Sequence, residues 1–334
     1  MKAFDYDLIG IGELLVDFTE SRTLAPDLKE EVYTANPGGA PANLVCTMQT
    51  YGLQTAFIGS VGDDHFGRLL IHTLDEFDVD TSLIQKHEEI FTTLAFVTLD
   101  ETGDREFSFA RKPGADTGLE LDEKQREALH KTQALHFGTI SLSHEPSKTA
   151  NQEAISLVRD QGGIVSFDPN LRLNLWESKE DLLREVYWGF KHCDILKLSL
   201  DDLVEITKEE PLAYAEKLLR QNAIQLILLS IGAKGAYALS LDRATDQMVQ
   251  VFAPALEDIK VVDTTGAGDI FTGSFLSKLL PLVKMKNQPR PIDNLYVWLK
   301  DRQGLEEALT FANRMAGLST TKRGGIPSIP SPEA

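Results

Sequence analysis

The clearest pattern along the chain is an alternation of short apolar runs and amphipathic stretches from about residue 120 onward. In the amphipathic stretches apolar residues recur every three to four positions, which is typical of helices that bury one face. The pattern predicts helices at 122–131, 146–160, 178–191 and 211–221, and strands at 133–138, 163–168, 194–198 and 224–230. Continuous apolar strands between helices predict a mostly parallel sheet that is covered on both faces, which is an α/β fold.

The first sixty residues begin with apolar runs that glycines interrupt. Residues 8–16 are interpreted as one buried strand with Gly10 and Gly12 inside it, and residues 55–62 as another strand. Asp17 directly follows the first run. Because ligands sit at the carboxyl ends of parallel strands, we expect this carboxylate in a cleft.

Two further segments carry no helical pattern. Residues 19–35 are polar with scattered apolar positions, which indicates short exposed strands. Residues 92–100 and 105–111 are interpreted as strands joined by a turn at 101–104, which is a hairpin signal. Since these strands lack helical cover, they predict a small sheet apart from the main one.

No repeat, low-complexity tract or linker divides the chain. We therefore expect a single domain over residues 1–334, with a lid formed by inserted segments of about 17–35 and 92–111. A lid of this kind would exclude water from a site beneath it.

The run Asp263–Asp269 leads into a helical pattern that Pro281 is expected to end. Residues 266–269 therefore predict a glycine-rich turn that opens a buried helix. Backbone N–H groups at a helix start lack partners, and glycines let a phosphate approach them. With the carboxylate of Asp269 as a general base, this is what phosphoryl transfer to a hydroxyl requires. By itself the motif is equally consistent with a capped helix whose Asp only meets the dipole.

A second turn with two glycines and two prolines lies at residues 36–41 and leads into a helix of small residues. Small residues at a helix start allow a ligand hydroxyl to meet the backbone. Asn43 can both donate and accept hydrogen bonds, which suits a polyol. Taken alone, this turn is better explained as a tight strand-to-helix connection.

Composition narrows the possible partners. The 334 residues carry 33 basic and 51 acidic side chains, and the net charge of −18 argues against nucleic acid or an anionic membrane as a partner. Cys46 and Cys193 stand in apolar surroundings, which predicts buried thiols and no disulfide framework. The acidic N-terminus is not typical of a signal peptide, and no apolar run approaches a membrane span. We expect a cytoplasmic protein.

Taken together, these motifs resemble the ribokinase-like (PfkB) sugar kinases, and within them bacterial and plant fructokinases most of all. The resemblance covers essentially the whole chain. The two family signatures occur in the expected order, at Gly38–Asn43 with Gly59, Gly62–Asp64 and Gly67, and at Asp263–Phe275. The resemblance to fructokinases is carried by Phe109–Asp116, His136–Leu142 and Asp168–Trp176.

The resemblance implies a three-layer α/β/α fold with a small β-sheet lid. It also implies transfer of the ATP γ-phosphoryl group to the terminal hydroxyl of a sugar, with D-fructose giving fructose 6-phosphate. Asp269 would take the proton of that hydroxyl. Backbone amides of Gly266, Ala267 and Gly268 would hold the transferring phosphoryl charge.

The resemblance also implies the binding residues. Sugar hydroxyls would be held by Asp17, Gly38, Gly39 and Asn43, with Arg111 over the sugar and Arg172 near the phosphates or the sugar. The nucleotide would be held by Ser230, Gly232, Lys234, Gly235, Gly266, Gly268, Asn313, Ala316 and Gly317. Mg²⁺ would bridge the phosphates. In many members a monovalent cation such as K⁺ binds at the positions of Asp263 and Thr265, and lids often pair between two subunits, so we expect a homodimer.

Two departures from the family pattern stand out. Ser199 and Asp202 occupy the place of a frequent Asn-x-x-Glu motif, in which the acid holds Mg²⁺ through water. Asp202 is one methylene shorter than Glu, so its hold on the metal is an open question. Ala110 stands where aromatic residues are common before the hairpin arginine.

Several functions remain open on this reading. The same fold and base serve kinases of 2-keto-3-deoxygluconate and of ribose, and fold alone cannot choose among them. An inactive sugar-binding protein is a further alternative, which the intact Asp269 and its glycines disfavour. The sequence leaves the identity of the sugar, the need for a monovalent cation and the oligomeric state undecided.

Overall fold

The computed structural model describes residues 4–20, 32–99, 105–284 and 290–333. Within these ranges nine strands form one sheet and four strands form a second, smaller sheet. The large sheet consists of β1 (Leu8–Ile11), β4 (Thr55–Gly62), β5 (Ile84–His87), β8 (Ala134–Gly138), β9 (Ile164–Asp168), β10 (Ile195–Ser199), β11 (Leu226–Ser230), β12 (Ala236–Asp242) and β13 (Gln247–Ala253). The small sheet consists of β2 (Leu15–Glu20), β3 (Tyr33–Gly38), β6 (Leu94–Leu99) and β7 (Arg105–Ala110).

The large sheet has the strand order β13-β12-β11-β10-β9-β8-β1-β4-β5. Strands β11 through β5 in this order are parallel, whereas β12 pairs antiparallel with both β11 and β13. The predicted mostly parallel sheet is therefore confirmed. The edge strand β5 and the hairpin β12–β13 were missed. β5 and β13 are partly exposed and do not form continuous apolar runs, whereas β12 is mostly buried and was overlooked.

Ten helices in the described ranges cover the large sheet. They are α1 (Ala40–Thr50), α2 (His65–Glu76), α3 (Glu123–Leu129), α4 (Ser147–Asp160), α5 (Lys179–His192), α6 (Leu200–Ile206), α7 (Pro211–Gln221), α8 (Ala267–Lys284), α9 (Pro291–Trp298) and α10 (Arg302–Ser319). Successive residues of a strand point to opposite faces. Leu228 accordingly packs in a core with α1, α8, α9 and α10, and Leu229 in a second core with α3 to α7. The fold is thus a three-layer α/β/α arrangement.

The helix that opens at residues 266–269 was expected to end at Pro281, and this prediction is wrong. Helix α8 runs to Lys284 with Pro281 inside it. Leu280 and Val283 are fully buried on either side of the proline, and the Gln133 side chain donates to the Leu280 carbonyl at 3.0 Å. Packing of this last turn outweighs the hydrogen bond that proline removes.

The interpretation of residues 8–16 as one strand is also wrong. β1 lies in the large sheet and β2 in the small one, and the chain crosses between the sheets at Gly12. The φ of 153° at Gly12 is a conformation that L side chains rarely adopt. A glycine inside an apolar run here marks a change of sheet.

The small sheet packs one face against α2. Phe18 of β2 stacks on Phe96 of β6 with ring centroids 5.3 Å apart, and Phe66 of α2 meets Phe18 edge-on at 5.6 Å. Residues 21–31 and 100–104 of the predicted lid segments lie outside the described residues. The small sheet is therefore observed, and its role as a lid stays a prediction.

Two further predictions concern buried cysteines and membrane-spanning segments. Cys46 and Cys193 are buried and unbridged, as predicted. In the part of the chain that the structure describes, no helix combines the length and the apolar character needed to cross a membrane.

Candidate active site

The start of α8 forms the centre of the site. Gly266 precedes it with a φ of 74°, and a Cβ there would lie 2.7 Å from the Gly325 Cα. Only glycine meets both the conformation and the close approach at this position. The first turn of α8 directs backbone N–H groups away from the helix, and the helix dipole is positive at this end. This geometry suits a phosphoryl group.

Asp269 lies in the first turn of α8 with 9% of its surface exposed. Asn43 of α1 donates its Nδ2–H to the Asp269 Oδ2 at 2.7 Å. The pKa of Asp269 is raised to about 7: burial is the largest cause and the charge of Asp168 also raises it, whereas the Asn43 hydrogen bond, Lys197 and Arg172 act in the opposite direction. A carboxyl with a pKa near neutrality can exchange protons at physiological pH.

A buried ion pair lies beside this turn. Lys197 near the end of β10 places its Nζ 3.0 Å from the Asp168 Oδ2 at the end of β9. A Cβ on Gly268 would lie 3.1 Å from the same Nζ, so the ammonium group faces the start of α8. Burial alone lowers the pKa of Lys197, but Asp168 and Asp202 outweigh it and raise the pKa to about 12. The site therefore has a permanent positive charge next to its backbone amides.

Asp168 and Lys197 were not among the predicted site residues. The available signal was the topology, because β9 and β10 are adjacent parallel strands and ligands sit at their carboxyl ends. The sequence marked both runs as strand ends. It gave no indication that the two side chains pair with each other.

The loop after β9 carries Arg172 and is fixed at several points. Thr139 donates to the Pro169 carbonyl at 2.6 Å, and the Leu171 amide donates to the Asp202 Oδ1 at 3.1 Å. Arg172 is half-buried, and its charge lowers the pKa of Asp269. Arg172 thus lies close enough to Asp269 for its charge to act there, and its contact with the phosphates or the sugar stays a prediction.

Asp202 has a structural role in this loop. Its Oδ2 accepts hydrogen bonds from the Ser199 amide at 3.0 Å and the Ser199 hydroxyl at 2.6 Å, which caps α6. With Oδ1 engaged by the Leu171 amide, both carboxylate oxygens bind protein donors. The predicted contact with Mg²⁺ through water stays a prediction.

The predicted sugar turn lies between the two sheets. A Cβ on Gly38 would come within 2.6 Å of the Asp17 Oδ2, so the carboxylate lies directly against this glycine. Gly39 has a φ of 120°, and a Cβ there would lie 2.3 Å from the Glu13 carbonyl oxygen. Close packing requires glycine at both positions. The turn lies against Asp17 on one side and leads on the other side to Asn43, which binds Asp269.

Arg111 lies at the junction of the small sheet with the large one. Its guanidinium forms a buried ion pair with Asp116 at 2.7 Å and donates to the Ser143 hydroxyl at 2.9 Å and the Ile140 carbonyl at 3.1 Å. Asp116 also accepts a short hydrogen bond from Thr93. Arg111 therefore anchors the end of β7, and its contact with a sugar stays a prediction.

The first group of predicted nucleotide residues lies in the turn between β11 and β12. Ser230 ends β11, and Gly232 and Lys234 are exposed in the following 3₁₀ turn. Gly235 has a φ of 121°, and a Cβ there would lie 2.2 Å from the Ala253 carbonyl oxygen. This turn is thus held against the end of β13 and exposes small residues at the carboxyl edge of the sheet.

The second group lies on α10. The Asn313 Nδ2–H groups donate to the carbonyls of residues 253 and 254 at 2.7 and 3.1 Å. Ala316 follows one turn later, and a Cβ on Gly317 would lie 2.8 Å from the Leu256 Cβ. Both predicted groups therefore converge on the segment that follows β13. The amide of Asn313 fixes that segment.

The predicted cation residues connect the catalytic turn to the C-terminal segment. The Asp263 Oδ1 accepts from the Thr265 amide at 3.0 Å and hydroxyl at 2.8 Å, and its Oδ2 accepts from the Gly324 amide at 2.9 Å. No group of three or more His, Cys, Asp or Glu side chains in the described ranges could hold a metal ion. A divalent ion at this site would accordingly depend on phosphate oxygens as ligands.

A buried carboxylate at a glycine-rich helix start, on a parallel sheet, is the arrangement of a phosphotransferase that acts on a hydroxyl. Residues 7–332 match the profile of the pfkB family carbohydrate kinases, and the chain belongs to this family. The resemblance inferred from the two signatures is confirmed.

Among its relatives, the probable fructokinase-5 of Arabidopsis thaliana is 34% identical over 330 residues, which cover 97% of this chain and 94% of that protein. The fructokinase from Xylella fastidiosa with bound ATP superposes with a TM-score of 0.83 at 26% identity, covering 97% of this chain and 95% of the other. A fructokinase double mutant from Vibrio cholerae O395, in its fructose, ADP and potassium ion bound form, gives a TM-score of 0.80 at 27% identity and covers 98% and 96%.

Proposed function

We propose that the protein is an ATP-dependent fructokinase that transfers the γ-phosphoryl group of ATP to the terminal 6-hydroxyl of D-fructose. The observation that carries this proposal is the buried Asp269 at the start of α8, hydrogen-bonded by Asn43 at 2.7 Å. Similarity to fructokinases over nearly the whole chain supports the choice of sugar.

In the proposed reaction Asp269 accepts the proton of the attacking hydroxyl. Its pKa of about 7 supports this role, because a base works best when its pKa lies near the working pH. Asn43 orients the carboxylate and leaves the other oxygen to face the substrate. Asp17 and the Gly38–Gly39 turn hold the remaining sugar hydroxyls.

The start of α8 and the neighbouring cations receive the phosphates. The amides of Gly266, Ala267 and Gly268 with the Lys197 ammonium offer hydrogen bonds and positive charge where negative charge develops. Arg172 adds a guanidinium with a fixed fork of donors. When bound, Mg²⁺ neutralises the phosphate oxygens, which a chain of net charge −18 does not do by itself.

Four further features complete the proposal. The small sheet acts as a lid over the sugar, and two lids pair in a homodimer. Asp263 and Thr265 hold a monovalent cation next to the catalytic turn, and the potassium-bound relative supports this assignment. The protein works in the cytoplasm, where its two buried thiols stay reduced.

The deciding experiment compares kcat/KM for fructose, 2-keto-3-deoxygluconate and ribose with MgATP. A site that hydrogen-bonds a substrate hydroxyl can discriminate by ~10⁴-fold, so fructose should stand well clear of the others. If the keto-acid or the pentose exceeds fructose tenfold or more, the sugar is wrong and the kinase class stands. If none of the three sugars is phosphorylated, the inactive sugar-binding alternative gains support.

A further inference from the structure

Glu13 is a fully buried acid that none of the proposed steps uses. It follows the crossover at Gly12, and 2% of its surface is exposed. Its Oε1 accepts a hydrogen bond from the Ala40 amide at 2.9 Å. Ala40 is the first residue of α1, whose N-cap residue Gly39 has no side chain to cap the helix. Glu13 therefore caps α1 from a different segment of the chain.

The cap fixes the turn that precedes α1 as well. The Glu13 carbonyl oxygen lies 2.3 Å from the place where a Cβ on Gly39 would be. The backbone N–H of Asn43 in turn donates to the Gly39 carbonyl oxygen at 2.9 Å, which closes the first turn of α1. Side chain and backbone of Glu13 thus hold the turn that carries Asn43, and Asn43 holds Asp269.

The hydrogen bond to Ala40 requires an acceptor at this position but not a negative charge. The Glu13 Oε2 is buried and has no hydrogen-bond partner among the described residues. The pKa of Glu13 is raised to about 7: burial is the largest cause, backbone hydrogen bonds act in the opposite direction, and the charges of Asp116 and Asp269 raise it. An unpaired buried carboxylate oxygen costs free energy that a neutral residue would avoid. Arg111 binds Asp116 and not Glu13.

We propose that Glu13 is a positioning residue for the phosphoryl transfer, which fixes the first turn of α1 and thereby holds Asn43 against Asp269. The assignment rests on the proposed function for its kinetic consequences. It does not depend on the identity of the sugar, because the contacts involved are all within the protein.

The first test compares three variants that separate the hydrogen bond from the Ala40 amide from the negative charge of Glu13. Glu13→Gln keeps an oxygen that can accept from Ala40, Glu13→Asp keeps the charge but is too short to reach Ala40, and Glu13→Ala loses both. We expect Glu13→Gln to stay within a few-fold of the parent in kcat/KM. Glu13→Ala and Glu13→Asp should each fall by roughly 10²-fold, since a small misplacement of a catalytic group has an effect of that order.

The second test reads the pKa of Asp269 directly by NMR in the free protein, with Asp269→Asn to assign the signal. The groups that face Asp269 are Asn43, Asp168, Lys197, Arg172 and Glu13. Loss of the Asn43 hydrogen bond raises the pKa of Asp269, whereas loss of the Glu13 charge lowers it. We therefore expect the pKa to fall in Glu13→Gln, to rise in Glu13→Asp, and to be higher in Glu13→Ala than in Glu13→Gln.

A double-mutant cycle with Asn43→Ala tests whether Glu13 acts through Asn43. If it does, Glu13→Ala should change kcat little once Asn43 is absent. Glu185→Gln serves as a matched control, because Glu185 is a buried acid of α5 that pairs with Lys148 at 2.7 Å, and neither residue lies in the site. This control should leave kcat/KM and the pKa of Asp269 unchanged.

Equal Asp269 pKa values in Glu13→Ala and Glu13→Gln, or multiplicative kinetic effects in the cycle, would overturn the assignment. If Glu13→Ala does not fold, Glu13→Asp decides by the direction of the pKa change. A parent enzyme that phosphorylates no sugar would refute the proposed function only, because the NMR titration still reads the positioning role.

Discussion

Asp269 combines two properties that oppose each other. Burial and the nearby Asp168 favour its neutral form, while Asn43, Lys197 and Arg172 favour the carboxylate that a base must be. The balance sets the pKa at about 7. A residue with an ordinary pKa would be ionised throughout but would be a weaker proton acceptor.

Replacing Asp269 by Asn should abolish most of the activity and preserve the fold. The substituted Asn side chain keeps the shape and the contact with Asn43 but cannot take the proton of the hydroxyl. A general base contributes ~10²–10⁴-fold to the rate. Steady-state turnover measures the effect. Thermal unfolding at pH 8 provides the control, and there the variant should be at least as stable, because the parent holds a buried charge. Turnover within a few-fold of the parent would refute the assigned role.

The pH dependence of kcat/KM should show an acidic limb near pH 7. The pKa of Asp269 is raised from 3.8 to about 7 in the folded protein, so the carboxylate form is lost as pH falls through that value. The rate should accordingly drop tenfold per pH unit on the acidic side. A profile that stays flat from pH 8 down to pH 5 would contradict the assignment of Asp269 as the base.

Lys197→Met should shift the acidic limb of the pH profile of kcat/KM. The ammonium lowers the pKa of Asp269 and pairs with Asp168, so its removal leaves two carboxylates that disfavour each other's charge. We expect the acidic limb to shift to higher pH and activity at pH 7 to fall. Lys148→Met, whose lysine pairs with Glu185 away from the site, is the matched control. An unchanged acidic limb in Lys197→Met would show that the Lys197–Asp168 pair does not influence the pKa of Asp269.

At the scale of elements, the site is made where several segment ends meet. Strand β9 ends at Asp168, β10 carries Lys197 two residues before its end, α8 begins at the glycine turn, and α1 begins at the turn held by Glu13. Each segment contributes one or two groups, and the parallel sheet fixes their spacing. Loops carry the chemistry because the sheet beneath them is rigid.

The small sheet should become protected when sugar binds. The Arg111–Asp116 ion pair joins the end of β7 to the rest of the fold. Closure of the small sheet would exclude water from the transferring phosphoryl group. Hydrogen exchange with and without fructose measures this, with β9 as an internal control. If neither 17–20 with 32–38 nor 92–111 slows its exchange on sugar binding, the small sheet is not a lid.

At the scale of the whole molecule, charge and surface guide the expected partners. The net charge of −18 favours solubility and disfavours polyanions, so the phosphates must be met by local cations. Among the described residues β3 and β7 are the edge strands of the small sheet, and proteins cover or pair such edges. Pairing of two small sheets would do this.

Sedimentation velocity should therefore report a dimer at micromolar concentration. The physical reason is that pairing would cover edge strands of the two small sheets. Dilution series with and without fructose give the measurement, and ovalbumin or a similar monomer of known mass calibrates it. A single monomeric boundary at all concentrations would contradict the pairing and leave the catalytic assignment intact.

The sequence by itself determined the elements that depend on local pattern. The parallel strands and their helices from residue 120 onward were predicted because periodicity is a property of neighbouring residues. The turns at Gly38–Gly39 and Gly266–Gly268 were predicted because glycine has a backbone use that other residues lack. The turn made Asp269 a candidate base, and the family resemblance led to its proposed role.

Only the tertiary structure decided the contacts that join distant segments. Asn43 and Asp269 are 226 residues apart and meet at 2.7 Å. The Glu13 cap on α1 and the Lys197–Asp168 pair arise the same way, from the order of strands and the crossover at Gly12. The pKa of the base is set by burial and by these neighbours, and neither is a property of the residues next to it in the chain.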